Sequence, residues 1–258
     1  MSPMAPEDRA IFETLAFYDI FEYPLTLLEL WQRLPAAGAR FSDTFLLLQH
    51  LQSMGFLQER VETDGVFYFL RGRGIIVSAR LRRYRESLRK ARIAMRAARW
   101  IASIPFVRGV ALCNSLGFAN ADRGSDIDFF ILVARGRIWV TRALAVLFVE
   151  CFASRPSAKK SQDGICLSFF AQEGKNVLDL RLPGGDPYFT WWMTGLAPLY
   201  EKGNAFCTWW AANRWIKSER PHAGMGAIAP RLRALPFQAV SEMFRWIPAP
   251  LWSGIEGA

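Results

Sequence analysis

Two aspartates one residue apart, Asp126-Ile127-Asp128, open an apolar run that continues as Phe129-Phe130-Ile131-Leu132-Val133. Side chains alternate along a strand, so the two carboxylates fall on one face. Such a pair suits divalent ions such as Mg2+, which combine a few carboxylates with substrate phosphate oxygens. Two ions held this way activate an attacking hydroxyl and stabilise a leaving pyrophosphate. An Asp-x-Asp alone often does no more than solvate a turn at a strand start. Here it is coupled to a second feature. Eleven residues earlier, a strand-like run at 107–113 ends in the small-residue turn Asn114-Ser115-Leu116-Gly117, where Ser115 can offer its hydroxyl and backbone N–H to a triphosphate. Arg123 lies between Ser115 and Asp126 and is a candidate phosphate partner, although a solvated loop arginine fits it equally well. Arg135 and Arg137 follow the strand as Arg-Gly-Arg, a pattern that fits a turn better than a substrate guide.

The elements that must position these groups alternate between strand and helix from 104 to 182. The pattern predicts strands over 107–113 and 126–133, a helix over 138–152, and a hairpin of 165–170 with 177–182 turning near Glu173-Gly174. Upstream, residues 8–72 predict three helices and a hairpin. Apolar spacing gives a helix at 7–21 and another at 25–34 after Pro24. A third, N-capped by Ser42, runs to Met54 and stops at Gly55. Thr63-Asp64-Gly65 then turns a hairpin between 56–61 and 66–70. That order is the winged-helix pattern. The third helix offers Gln49, His50 and Gln52 without Arg or Lys, which argues against direct reading of base edges. Residues 187–246 read as helical and aromatic, and the pairs Trp191-Trp192 and Trp209-Trp210 there are better explained by packing than by base stacking.

Charge is concentrated in one place. The net charge is +9, yet eleven Arg and Lys residues lie between Arg71 and Trp100 against Glu86 alone. No Pro or Gly interrupts 75–104, so this segment predicts a long basic helix. It could track a phosphate backbone, or serve as a solvated linker or a face for an acidic partner. Hydrophobic residues make up 52% of the 258, enough for a sizeable core. The longest apolar candidate, 138–153, is broken by Arg142 and Glu150, so no membrane span is expected, and the first nine residues lack a signal-peptide pattern. The expectation is a soluble, cytoplasmic protein. Four cysteines without a C-x-x-C pair and only two histidines make a structural zinc site improbable and favour reduced, spaced thiols.

The turn-then-Asp-x-Asp pattern resembles the DNA polymerase β nucleotidyltransferase superfamily, whose motif is an apolar residue, Gly, Gly or Ser, about ten residues, then Asp-apolar-Asp. That motif resemblance covers about 104–182. The whole layout is similar to a prokaryotic group of uncharacterised proteins with an N-terminal winged helix, a basic linker helix and this domain. The stretches YDIFEYPLTLLELW, GSDIDFFILVARGRIWVTRAL, ICLSFF, LPGGDPYFTWW and APLYEKGNAFCTWWAANRWI carry that likeness over about 8–217. The resemblance implies metal ligation by Asp126 and Asp128 and triphosphate contact by Ser115. The chain departs from the pattern twice. Asn114 stands where the motif has its first Gly, and 165–170 offers Ser168 where a third carboxylate is usual. Asn is the non-glycine residue that best tolerates φ > 0. Asp179, flanked by Leu178 and Leu180, is the nearest alternative third ligand, against the reading of a surface aspartate beside a turn.

The expected fold is therefore α+β: a winged helix-turn-helix at 8–72, a basic linker helix at 73–103, a polymerase β-like α/β domain at 104–182 and an aromatic helical region at 187–246. The expected activity is Mg2+-dependent transfer of a nucleoside monophosphate from an NTP to an acceptor hydroxyl. The metals would sit on Asp126, Asp128 and Asp179, and the nucleotide on Asn114, Ser115 and Arg123. The alternative is a catalytically weak module that senses nucleotides or regulates through DNA. Expected partners are the nucleoside triphosphate and, through the basic helix at 75–103, a nucleic acid or other anionic partner.

Overall fold

A computed structural model of the chain describes residues 4–38, 40–53, 57–152, 162–177, 180, 182 and 186–226. The protein is mixed α+β, with a three-stranded and a four-stranded sheet. It divides into two units. The first is Met1–Arg82 with Trp215–Gly224; the second is Arg83–Arg214, with Met225 and Gly226 after it among the described residues.

In the first unit, α1 spans Pro6–Asp19, with Pro at its start and Glu7 and Asp8 in its first turn. Both choices suit a helix N-terminus. Strand β1 (Leu25–Thr26) leads directly into α2 (Leu27–Arg33). The hinge between them is a capping box: the Glu29 N–H donates to the Thr26 hydroxyl at 3.2 Å, and the Glu29 carboxylate accepts from the Thr26 N–H at 2.9 Å. Helix α3 spans Thr44–Gln52, and its cap is Asp43, which accepts from the Leu46 N–H at 3.0 Å. The expected cap, Ser42, instead donates its hydroxyl to Asp43. A carboxylate is the stronger acceptor for the free N–H groups there. The expected stop at Met54 and Gly55 lies outside the described residues.

Strands β2 (Val61–Thr63) and β3 (Phe67–Leu70) form the hairpin, with Glu62 opposite Phe69. Gly65 at φ +93 makes the turn, and Asp64 Oδ1 accepts from the Val66 and Phe67 N–H groups. Leu57–Arg60 form turns, so the first strand starts at the end of its expected span rather than at Phe56. Strand β3 is central, flanked by β1 and β2. Ile11, Leu15, Leu25, Leu30, Leu34, Leu47 and Ile76 are buried in this unit.

Helix α4 runs from Ile75 to Ser103, and the division between units falls within it. It is not a uniformly solvated rod. Arg80 is buried, lies 3.6 Å from the Tyr23 ring centroid and donates to Glu29 at 2.9 Å. Burial alone would raise the Glu29 carboxyl. Arg33 and Arg80 more than offset it, and the carboxyl lies below its ordinary range.

In the second unit, β4 (Val107–Leu112) is followed by the single turn α5 (Asn114–Gly117) and by β5 (Ile127–Val133). Helix α6 (Ile138–Phe152) crosses over to β6 (Ile165–Gln172), which lies parallel to β5. Then come α7 (Pro187–Thr194), β7 (Ala197–Glu201) and α8 (Ala205–Ala212), while α9 (Trp215–Glu219) belongs to the first unit. The sheet order is β6-β5-β4-β7, with β4 antiparallel to both neighbours. Every residue of β5 is buried, as the apolar run 129–133 demands of a central strand, and Asp128 is its one polar residue.

Two expectations are corrected here. Among the described residues β6 pairs with β5, and none of Val177, Leu180 and Leu182 lies in a strand, where a hairpin partner is expected over 177–182. After the turn at Gly174, the Val177 N–H goes to the Asn213 side chain at 2.8 Å instead of a strand. The region expected to be helical contains β7, which adds to the exposed side of β4 and so enlarges the sheet beyond 182. The remainder of that region, 227–246, lies outside the described residues.

Candidate metal centre

The antiparallel register of β4 and β5 pairs Leu112 with Phe129. The end of β4 therefore adjoins the start of β5, and the Asn114-Ser115 turn lies at the same end of the sheet as Asp126 and Asp128. Because β6 is parallel to β5, with Cys166 in register with Asp128, its first residues come to that end as well. Asp126 sits one residue ahead of β5, and Asp128 is on it, 8% exposed. One donor atom from each of Asp126, Asp128 and Cys166 lies within 4.8 Å of the others, a group that can hold a metal ion.

Around this cluster, the Ser168 hydroxyl donates to Asp128 Oδ1 at 2.6 Å and lies 3.4 Å from Cys166 Sγ. The Cys113 N–H donates to the Asp128 backbone carbonyl, tying the end of β4 to β5 at the residue that bears the carboxylate. Burial and then the Asp128 charge raise the Asp126 carboxyl above its ordinary range, with Lys90 pulling the other way. Burial and the two nearby carboxylate charges likewise push the Cys166 thiol up, against the Ser168 hydrogen bond. Two carboxylates crowded in this way favour a cation between them.

The other expected site residues fall as follows. Asn114 has φ +53, the left-handed geometry that the motif's glycine would supply. Its Oδ1 accepts from Trp192 Nε1 at 2.8 Å. Ser115 is half-buried in α5, and its carbonyl accepts from the Asn120 N–H at 2.8 Å. The Arg123 side chain is exposed; its carbonyl, rather than its guanidinium, is the group that joins the site's framework. Asp179 lies outside the described residues, and the third donor brought to the two aspartates is Cys166. Arg135 and Arg137 follow the far end of β5, about 20 Å from Asp128 at 3.3 Å per residue. Arg137 there stacks over Phe106 at 5.1 Å.

Sequence reasoning missed the brace beneath the Asp126 loop. Lys90 is fully buried. Its ammonium donates to the Ser125 carbonyl at 2.8 Å, the Arg123 carbonyl at 3.2 Å and Asp163 Oδ1 at 2.7 Å. Three donors meet three acceptors, which is what a buried ammonium requires. Arg89 clamps the same Asp163 through both terminal nitrogens at 2.9 and 2.8 Å. These two cations hold the Asp163 carboxyl down to about 2. Asp163 has φ +59 and donates its N–H to the Ser125 carbonyl, while the Ala121 N–H donates to Ser87 on α4 at 3.0 Å. The loop that delivers Asp126 is thus fixed from α4. The available signal was Lys90 itself, the one lysine in a run of arginines.

No family model, no curated protein and no solved structure matches the chain. Among the described residues, no helix is long and apolar enough to cross a membrane.

Proposed function

We propose that the second unit is a nucleotidyltransferase of the DNA polymerase β type, transferring a nucleoside monophosphate from an NTP to an acceptor hydroxyl with release of pyrophosphate. The observation that carries this reading is the convergence of Asp126, Asp128 and the Asn114-Ser115 turn at one end of a sheet whose central strand is wholly buried. The left-handed backbone at Asn114 supports it, because the turn keeps the geometry a glycine would provide. The helices and three-stranded sheet of the first unit are read as a winged helix.

The donor set fits one divalent ion well. Asp126 and Asp128 would hold it, with Cys166 within reach. The ion would supply charge neutralisation at the phosphates and a lowered pKa for an attacking hydroxyl. The chain's own residues set the stage. Lys90 and Asp163 fix the loop that orients Asp126. Ser168 donates to Asp128 Oδ1 and so leaves its other oxygen to a ligand. Ser115 and the Asn114 turn lie where the triphosphate would rest. Ser168 stands where a carboxylate would complete a second metal position, and this favours the alternative of a weak or regulatory module.

Release of pyrophosphate separates the two. Wild type and the Asp126→Asn/Asp128→Asn variant would be incubated with each NTP and Mg2+ or Mn2+ and with pooled hydroxyl acceptors, including oligonucleotides. The transferase reading expects release by wild type alone. Nucleotide bound without release would replace it with the regulatory reading.

A further inference from the structure

Within the second unit, α4 buries one face. Ala91, Ala94, Ala98 and Ile101 are at most 1% exposed and belong to the same core as β4 and β5. On the opposite side lie Arg85, Arg92 and Arg96, all exposed. At 100° per residue these three fall within a sector of about 40°, and Arg85 to Arg96 extends about 16 Å along the axis. Glu86, the helix's one acid, is engaged by Arg89 at 2.9 Å. Glu29 is paired with Arg80, and Asp163 with Arg89 and Lys90. Arg85, Arg92 and Arg96 make no ion pair among the described residues. The guanidiniums of these three residues are exposed and open to a phosphate ligand.

We propose that this arginine stripe is a binding track for the sugar-phosphate backbone of a single-stranded polynucleotide. That would make a polynucleotide the acceptor class of the transferase, a consequence that rests on the functional reading above, whereas the binding rests on the helix alone. Three features select this partner. The residues are arginines, whose planar fork matches phosphate oxygens in a way an ammonium does not. Arg92 and Arg96 are one helical turn apart, about 6 Å, so they can meet successive phosphates of one strand. The apolar face of α4 is already used in the core, which removes the insertion surface a membrane-binding amphipathic helix needs.

The test is the salt dependence of binding of a labelled single-stranded oligonucleotide to the full chain, with EDTA and no NTP present. Wild type is compared with Arg85→Gln/Arg92→Gln/Arg96→Gln, whose exposed positions leave the fold intact by circular dichroism. Each phosphate contact contributes about −0.7 to the slope of log K against log salt for a single strand, so the variant should lose about 2 from that slope. Failure of wild type to bind, or a variant slope equal to wild type, would overturn the proposal, and an acidic protein would then be the better partner. Binding that weakens as expected supports the track even if no nucleotide binds at Asp126 and Asp128, so the two readings fail separately.

Discussion

The residues that matter most are those whose chemistry is exchanged over long stretches of sequence. The two aspartates were legible because their alternation and the apolar run after them are local. Cys166 was not, because only the parallel register of β6 on β5 brings its sulfur to Asp128. Lys90 and Asp163 were not, because they are 73 residues apart in sequence. Asn114 was legible in kind: its tolerance of φ > 0 is an intrinsic property, and the structure uses it. Replacing Asn114 by Ala should destabilise the protein by about 2 kcal/mol, combining left-handed strain with an unmet Trp192 N–H. Asn114→Gly, which relieves the strain but still loses the bond, should cost about 1 kcal/mol. Denaturant midpoints for the pair check this, and equal losses would show that the backbone geometry is not what selects Asn.

Asp163 gives a prediction with a pH signature. Its carboxyl is held down to about 2, chiefly by Arg89 and then Lys90. A depressed carboxyl stabilises the fold fully above the ordinary aspartate range, near about 4, and loses that contribution as pH falls through the folded value. Asp163→Asn should therefore cost about 2 kcal/mol at neutral pH, because it removes the negative charge paired with a buried ammonium. The gap between variant and wild type in urea unfolding should close as pH approaches 2. A gap that stays constant with pH would show that the ion pairs are not its source.

At the scale of elements, strand β5, helix α4 and the β2–β3 hairpin could be read from periodicity and turn chemistry. Strand β7 could not, because Pro198 and the flanking aromatic helices disguise it. Proline is tolerated there because β7 is an edge strand. The arrangement of α5 against the segment after α7 was equally hidden, since it depends on two glycines far apart in sequence. A Cβ at Gly117 would sit 2.2 Å from the Gly195 carbonyl oxygen, and one at Gly195 would sit 2.1 Å from the Phe118 ring. Gly117→Ala must therefore push backbone against backbone. It should lower stability by about 2 kcal/mol and displace the Asn114-Ser115 turn. Thermal unfolding reads the first effect, and loss of nucleotide affinity reads the second. An alanine variant as stable as wild type would mean that this approach is not required.

At the scale of the molecule, composition located the charge but not its use. Arginines and the lysine of α4 serve at least three tasks. Arg80 neutralises a half-buried glutamate in the first unit, Arg89 and Lys90 brace the Asp126 loop in the second, and the outer stripe faces solvent. A helix that sequence suggests as a linker thus belongs in part to each unit. The central claim is that the end of the sheet bearing Asp126, Asp128 and the Asn114 turn binds a nucleoside triphosphate through a divalent ion. Its most direct test is calorimetric titration of each NTP into wild type and Asp126→Asn/Asp128→Asn, with and without Mg2+ or Mn2+. Binding that requires both the ion and the two carboxylates is the predicted result. Binding that survives the double substitution, or no binding to any nucleotide, would contradict the claim.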